Sequence, residues 1–370
     1  MRAHPATVAL LEAWRRPEQA ASFSPAKWSA ILAATRRSRA LGHLRMAIEA
    51  RAGGARPDER VLAHFESVGT LVADRRRRLR REMSELSGAV RDLGVPILLL
   101  KGAAYEALDL PIASGRLAAD IDVLVPAQSI GSVERRMVER GWEPAKMNDY
   151  DDRYYREWSH EIPPLVHPER GVEVDVHHSV TPSLRGNGID TAALLARSVE
   201  VEWEGQRGFR VLQPIDLLIH CAVHTFKDSD LTLRLRETMD FDLLFRHFAG
   251  PSPDAFAASM LERAAELGQP RAIWWAMHFA RRWLDTPISD SAMAHAAAPG
   301  AAAIASMDWL TDRSMLPGAR MEREGLDRFA AIVLLARYHY QRMPITRLVP
   351  HLLEKSRRRH RPAETADADP

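Results

Sequence analysis

The sequence holds a single cysteine, Cys221, among 370 residues, so no disulfide can form within the chain. Thiols without a partner are typical of reducing compartments, and we therefore expect a cytoplasmic protein. No apolar run approaches the roughly 20 residues that a membrane-spanning helix needs. The first residues also lack the apolar core and cleavage site of a signal peptide. These absences predict a protein that is neither exported nor inserted into a membrane.

A charge excess of either sign is missing as well. Lysine and arginine number 51 and aspartate and glutamate 49, which leaves a net charge of +2 and does not predict a nucleic-acid-binding protein. Six arginines crowd positions 75–81, but a helix would place them on several faces. Contact with solvent or with acidic groups therefore accounts for this run better than RNA binding does. The chain is long enough for two domains or for one large domain with appendages.

Local patterns divide the chain into four regions. The first, 1–90, reads as helical and includes a long proline-free helix from 61 to 93, whose apolar residues keep helical spacing. An α/β region follows over 91–212, then a second helical region over 213–354. The tail, 355–370, is basic and then acidic, and we predict that it is disordered. The fold class expected from this order is α+β or α/β.

Short apolar or alternating runs mark the strands of the α/β region. We predict strands over 97–100, 120–125 and 172–177, and a further extended run over 158–166. Helices are predicted over 103–108 and 129–140.

Two aspartates begin the second of these strands. Residues i and i+2 of a strand point to the same side, so Asp120 and Asp122 share one face, opposite Ile121 and Val123. Neighbouring carboxylates repel each other unless a cation lies between them. A hard divalent cation such as Mg²⁺, or Mn²⁺, binds carboxylate and phosphate oxygens. The pattern therefore indicates metal-assisted phosphoryl or nucleotidyl transfer.

A third carboxylate would complete a site for two cations, which together activate an attacking hydroxyl. Asp175 is the leading candidate because it lies on a strand whose other face is all valine. Glu173, two residues earlier on the same face, is the alternative. His177 shares this face as well, and it could orient Asp175 or serve as a base.

These segments together resemble the nucleotidyltransferase superfamily. The run LLLKGAAYEAL is followed by GR, DIDVLV and VEVDVHH, and later by the helices LLIHCAVHTF and RLRETMDFDLL. The pattern is similar to that of poorly characterised bacterial nucleotidyltransferase-like proteins, over roughly residues 60 to 250. The resemblance implies a small mixed sheet with flanking helices, a helical C-terminal domain, Mg²⁺ and a nucleoside triphosphate (NTP) substrate.

The resemblance also implies roles for individual residues. Asp120 and Asp122 would be metal ligands, and Asp175 a third ligand or a base. Lys101 would face the triphosphate, and the backbone N–H groups around Gly102, at a helix start, would add to that anion site. Many nucleotidyltransferases carry a serine after this glycine, whereas this chain has an alanine. Phosphate binding would then depend more on Lys101 and on Arg116.

A structural role is open to several of these residues as well. Arg116 could pair with Asp120 instead of phosphate, and Lys101 could simply extend to water. His220 and His224 share a helix face, but a second-position glutamate, as in zinc-binding H-E-x-x-H helices, is missing. A hydrogen bond between domains or a contact with substrate accounts for these two histidines better than zinc does.

The function predicted is transfer of a nucleoside monophosphate (NMP) from an NTP to a hydroxyl or phosphate of a small molecule or peptide. Related proteins occur near natural-product or modified-peptide biosynthesis genes, which motivates this class of acceptor. One alternative is a toxin-like nucleotidyltransferase that acts on RNA or protein. Another is a catalytically degenerate protein that binds a nucleotide or a partner. The sequence leaves the oligomeric state open.

Overall fold

The computed structural model describes residues 4–54, 56–181, 188–317 and 325–350. The predicted disordered tail, 355–370, lies outside the described residues. None of the helices in these ranges combines the length and the apolar character that crossing a bilayer requires.

The described helices are α1 (Pro5–Arg15), α2 (Pro25–Ser38), α3 (Leu41–Arg51), α4 (Glu59–Val90), α5 (Lys101–Ala107), α6 (Ile130–Glu139), α7 (Asp149–Trp158), α8 (Thr191–Arg197), α9 (Pro214–Phe226), α10 (Leu235–Ala249), α11 (Pro253–Glu266), α12 (Pro270–Leu284), α13 (Asp290–His295), α14 (Ala301–Ser314) and α15 (Gly325–Arg342). The strands are β1 (Ile97–Leu99), β2 (Asp120–Leu124), β3 (Glu143–Pro144), β4 (Leu165–Val166), β5 (Glu173–His177), β6 (Val199–Trp203) and β7 (Gln206–Val211).

The seven strands form one mixed sheet in the order β3-β4-β5-β2-β1-β7-β6. Strand β2 pairs in parallel with β5 and antiparallel with β1. Strand β1 in turn pairs in parallel with β7. The expected α+β class with a mixed sheet and flanking helices is confirmed.

The long helix α4 begins at a strong start signal. Asp58 accepts hydrogen bonds from the backbone N–H groups of Arg60 and Val61, at 3.0 and 3.1 Å, and so satisfies donors that have no partner within the helix. Leu79, Met83 and Leu86 form its buried stripe. A short 3₁₀ turn at Arg91–Leu93 follows, so the helix predicted over 61–93 is confirmed.

One strand prediction needs correction, and one pair of strands was not predicted. The extended run predicted over 158–166 is wrong in its first part, because α7 continues to Trp158 and only Leu165–Val166 is a strand. The β6–β7 hairpin was missed. Its two-residue connection has positive φ at both Glu204 and Gly205, which is the geometry of a tight hairpin turn.

The N-terminal helices pack against the C-terminal ones. Trp14 Nε1 donates to Asp242 Oδ2 of α10 at 3.0 Å, and Arg15 Nε donates to the carbonyl oxygen of Trp283 in α12 at 2.8 Å. A single cluster of buried apolar residues runs from Ala6 to Leu334. The boundaries predicted at 90 and 212 stay a prediction.

A buried ion pair ties α4 to the turn before β5. Glu82, with a fully buried side chain, accepts hydrogen bonds from Arg170 Nε and Nη2 at 2.5 and 3.2 Å. The guanidinium also lies 4.5 Å from the ring of Trp142. We expect Glu82→Gln to lower the free energy of unfolding by about 3 kcal/mol, because it leaves the Arg170 charge without its counter-ion.

Urea denaturation would measure this loss. Glu85→Gln is the matched control, since Glu85 lies on the same helix with its side chain exposed and should change stability by less than about 0.5 kcal/mol. Equal effects of the two variants would contradict the assigned role of the buried pair.

Candidate active site

The parallel pairing of β2 with β5 brings four carboxylates together. Asp120 is opposite Glu173, and Asp122 is opposite Asp175. Side chains at i and i+2 share a face, so all four lie on one side of the sheet at two adjacent strands. The other face of the same strands carries Ile121, Val123, Val174 and Val176, all with 0% exposure. Burial of that face leaves the carboxylates no alternative register.

Lys101 reaches this face from the end of β1. Its position follows from the sheet, since the N–H of Leu100 donates to the carbonyl oxygen of Asp122 at 2.9 Å. Lys101 is the first residue of α5, and its φ is +45°. Positive φ is uncommon for residues other than glycine, and strained backbone of this kind clusters at functional sites.

Asp122 is in contact with a lysine and a histidine. Lys101 Nζ donates to Asp122 Oδ1 at 2.6 Å, and His177 Nε2 lies 3.1 Å from the same oxygen. Burial by itself would raise the pKa of Asp122, but these two groups hold it well below its usual range. Burial by itself would lower the pKa of Lys101, but the carboxylate raises it. Asp122 and Lys101 are therefore both charged.

The negative charge of Asp175 is offset less well by nearby cationic groups than that of Asp122. Burial, and next the negative charge of Asp122, raise its pKa from 3.8 to about 8. The pKa of Glu173 is also raised, by burial and by Asp120 and Asp122. The face thus holds more carboxyl groups than its lysine and histidine contact. Oxygen ligands at adjacent positions with uncompensated charge are what Mg²⁺ prefers in proteins, so the residues present fit a divalent cation.

Arg116 is held away from Asp120, contrary to one of the two roles considered for it. Its Nε donates to Asp240 Oδ2 of α10 at 3.0 Å, and His43 Nε2 lies 2.7 Å from the other oxygen of that carboxylate. Burial by itself would lower the pKa of the guanidinium, but Asp240 raises it. Arg116 therefore belongs to a buried ion pair between the sheet domain and α10, and its predicted contact with phosphate stays a prediction.

Gly102 leaves the space that the Arg116 side chain occupies. A Cβ at position 102 would lie 2.8 Å from Arg116 Nη1 and 2.9 Å from the Cβ of Ala118. Any side chain there would push the guanidinium off its place. The glycine of the Lys-Gly pair thus has a packing role in addition to the phosphate-binding role predicted for its backbone.

Two histidines of α9 complete the surroundings of the site. His220 and His224 have ring centroids 6.4 Å apart in nearly parallel planes. Burial, and next the charge of Lys101, lower the pKa of His220 to about 3 and that of His224 well below 6.5. Both rings are therefore neutral, and the Lys101 charge acts on each of them.

The sequence reasoning missed a segment that borders the site. His160 and Glu161 follow α7, and Glu161 forms an isolated bridge with His177 of β5. Glu161 Oε2 lies 3.2 Å from His177 Nδ1, and the His160 ring stacks on the His177 ring with centroids 5.2 Å apart. The only local signal was the His-Glu pair itself, inside a stretch predicted to be extended.

The arginine run of α4 is largely engaged within the chain. Arg76 and Arg80 both donate to the buried carboxylate of Glu106, while Arg77 and Arg78 pair with Asp74. The sequence predicted that these arginines lie on several faces of a helix and contact acidic groups, and their different partners agree with that prediction.

A scan against protein-family models matches residues 24–285 to a family described as uncharacterised nucleotidyltransferases. The chain belongs to this family. The matched region includes β1, β2, β5 and the helices α9 and α10, so every residue of the site described above lies within it. The resemblance noted from the sequence is thereby confirmed.

Among solved structures, the chain is similar to an antigenic nucleotidyltransferase-like protein from Paracoccidioides brasiliensis. The sequence identity is 14% and the TM-score 0.32, over 53% of this chain and 92% of that chain. A TM-score this low supports no argument about the site. A search of curated proteins finds no match.

The raised pKa of Asp175 predicts a stability that depends on pH. The folded protein favours the protonated carboxyl, so ionisation costs stability as the pH rises from about 4 to about 8. Asp175→Asn removes this cost. In metal-free buffer we expect the variant to exceed the parent by roughly 1–3 kcal/mol at the upper end of that range and to match it at the lower end.

Urea denaturation across the pH series would measure the difference. Asp109→Asn is the control, because the Asp109 side chain is 92% exposed and its variant should follow the parent at every pH. Added Mg²⁺ should reduce the difference in unfolding free energy between Asp175→Asn and the parent, because it stabilises the parent more. A gap that stays constant with pH would show that the carboxyl titrates normally.

The Arg116–Asp240 pair predicts a coupled loss of stability. Arg116→Met should lower the free energy of unfolding by about 3 kcal/mol, because Asp240 stays buried and keeps only its contact with His43. The double variant Arg116→Met/Asp240→Asn should recover part of that loss, as measured by urea denaturation. Arg135→Met, at an exposed position, controls for removal of an arginine. Additive effects of the two substitutions would contradict the coupling.

Proposed function

We propose that this protein is a nucleotidyltransferase that depends on Mg²⁺ or Mn²⁺, and that it moves an NMP group from an NTP to a hydroxyl or phosphate of a small molecule or peptide. Membership of a nucleotidyltransferase family supports the general reaction. The observation that carries the proposal further is the in-register pairing of Asp122 with Asp175 on a face with uncompensated negative charge.

Asp120, Asp122 and Asp175 are the residues that would hold the cations. When bound, Mg²⁺ would neutralise the triphosphate and lower the pKa of the attacking hydroxyl. Glu173 pairs with Asp120 in the sheet but is exposed, which favours Asp175 as the third carboxylate. With its pKa near 8 in the metal-free protein, Asp175 holds a proton at neutral pH, and a bound cation would displace that proton and leave the carboxylate free to act as ligand or base.

Lys101 and His177 prepare the site. They hold Asp122 ionised and oriented although the side chain is buried, so that carboxylate is ready to accept a cation without losing a proton. Lys101 also brings a positive charge to the face that a triphosphate must approach. Positioning and electrostatics of this kind supply most of the rate enhancement in phosphoryl transfer.

The alanine after the Lys-Gly pair leaves one alternative, a protein that binds nucleotide without transferring it. Calorimetry with the four NTPs, with and without Mg²⁺, separates the two. Binding that requires Mg²⁺ supports the transferase, and tight binding that ignores Mg²⁺ supports the degenerate protein.

Asp122→Asn tests the assignment directly. We expect it to lower transfer of label from [α-³²P]NTP to acceptors in a small-molecule and peptide extract by at least about 100-fold, because a metal ligand and the partner of Lys101 are lost together. Asp109→Asn, at an exposed position, should transfer label like the parent. Full activity of Asp122→Asn would show that the catalytic carboxylates lie elsewhere.

A further inference from the structure

Beside the carboxylate face lies a second cluster, formed by His160, Glu161 and His177. Each residue offers one ligand atom, and these atoms all lie within 4.8 Å of one another. Ligands of one zinc ion lie about 3–4 Å apart, so small side-chain rotations would close the cluster around an ion. Two imidazoles and a carboxylate suit zinc and related transition metals, whereas Mg²⁺ prefers oxygen alone.

The two histidines have ring nitrogens that lack a partner among the described residues. His160 is 6% exposed and His177 is 4% exposed, yet Nδ1 of each ring forms no hydrogen bond within the part of the chain that the structure describes. His177 Nδ1 has Glu161 Oε2 at 3.2 Å, but without hydrogen-bond geometry. Buried polar atoms are satisfied in most native proteins. The unsatisfied Nδ1 of His177 beside the Glu161 carboxylate, and the unsatisfied Nδ1 of the His160 ring that stacks on it, therefore indicate a missing ligand.

The other nitrogen of each ring faces a carboxylate. His177 Nε2 lies 3.1 Å from Asp122 Oδ1, and His160 Nε2 lies 3.5 Å from Asp228 Oδ2. Histidines that bind metal nearly always present the second nitrogen to a carboxylate or carbonyl, which sets the ring orientation and strengthens the ligand. Both rings of this cluster have that arrangement, with Nδ1 left for the metal.

The backbone holds these residues in place before any ion binds. Glu161 is bridged to His177, the N–H of Ile162 donates to Val176 at 3.1 Å, and the N–H of His178 donates to His160 at 2.9 Å. The Glu161 side chain is 21% exposed, so the cluster is accessible from solvent on that side. A metal site needs ligands that the backbone holds in place and a path by which the ion can enter from solvent, and this cluster has both.

We propose that His160 Nδ1, His177 Nδ1 and the carboxylate of Glu161 bind one Zn²⁺ ion, with a fourth position open to solvent. The site uses none of the carboxylates proposed to hold Mg²⁺, but it adjoins them: His177 contacts Asp122, and the charge of Glu161 acts on Asp175 and Glu173. The bound ion would lock the segment 159–161 onto β5 and fix the ring that orients Asp122. The proposal does not depend on transferase activity.

Zinc titration of the tag-free, chelator-stripped full chain tests the site. Calorimetry should show one Zn²⁺ per chain, and Co²⁺ should give the visible absorption of nitrogen ligation. His160→Gln and Glu161→Gln should each weaken zinc binding by about 100-fold or more, and Asp228→Asn by about 10- to 100-fold. Circular dichroism confirms folding. Because Glu161 is partly exposed, its variant keeps the test valid if His160→Gln does not fold.

Two controls locate the ion. His278→Gln removes a histidine that pairs with Asp308 at 2.7 Å in another part of the chain and should leave zinc binding unchanged. Asp120→Asn should also leave it unchanged. The proposal is overturned if the parent binds no stoichiometric zinc, or if His160→Gln and Glu161→Gln bind it as the parent does. Loss of zinc in Asp120→Asn with retention in His160→Gln would place the ion on the carboxylates, and this too overturns the proposal. None of these measurements involves a nucleotide, so failure here is distinguishable from failure of the transferase assignment.

Discussion

Parallel pairing of β2 with β5 is the constraint on which the site depends. The in-register contact puts Asp122 beside Asp175 and Asp120 beside Glu173, and the buried apolar face of the same strands prevents the register from slipping. Four carboxylates must then share one face. Lys101 and His177 both contact Asp122, whereas burial, and next the charges of the neighbouring aspartates, raise the pKa values of Asp175 and Glu173. The ionised form of these carboxyls therefore costs the fold stability, and the proposed binding of a cation would offset that cost.

The positive groups near the sheet have separate tasks. Lys101 and His177 compensate Asp122 on the carboxylate face, whereas Arg116 compensates Asp240 on α10. Because the Arg116 guanidinium pairs with Asp240 of α10 and also packs against Gly102, it connects that helix to the first turn of α5. The position of Lys101 at the start of α5 therefore depends on the packing of α10. His220 and His224 of α9 are neutral rings on which the charge of Lys101 acts.

Much of the fold could be predicted from local patterns. Alternation of Asp and apolar residues over 120–125 and 172–177 predicted β2 and β5, since a strand with one buried face repeats every two residues. The proline-free run from 61 to 93, with apolar residues at helical spacing, made α4 equally clear. The β6–β7 hairpin was missed because its tight turn contains Glu-Gly rather than a stronger turn pair. His160 and Glu161 were not recognised because their short segment gains its meaning only from contact with β5.

The sequence by itself determined which residues share a face within one strand, because that follows from backbone geometry and needs no partner. It also placed Lys101-Gly102 at a strand end and showed that the chain resembles nucleotidyltransferases. Only the tertiary structure decided that β5 lies directly beside β2, that Arg116 turns to Asp240 rather than to Asp120, and that His160 reaches His177. These pairings join residues far apart in the chain, and their energies depend on burial and on the charges of neighbours, neither of which a local pattern contains.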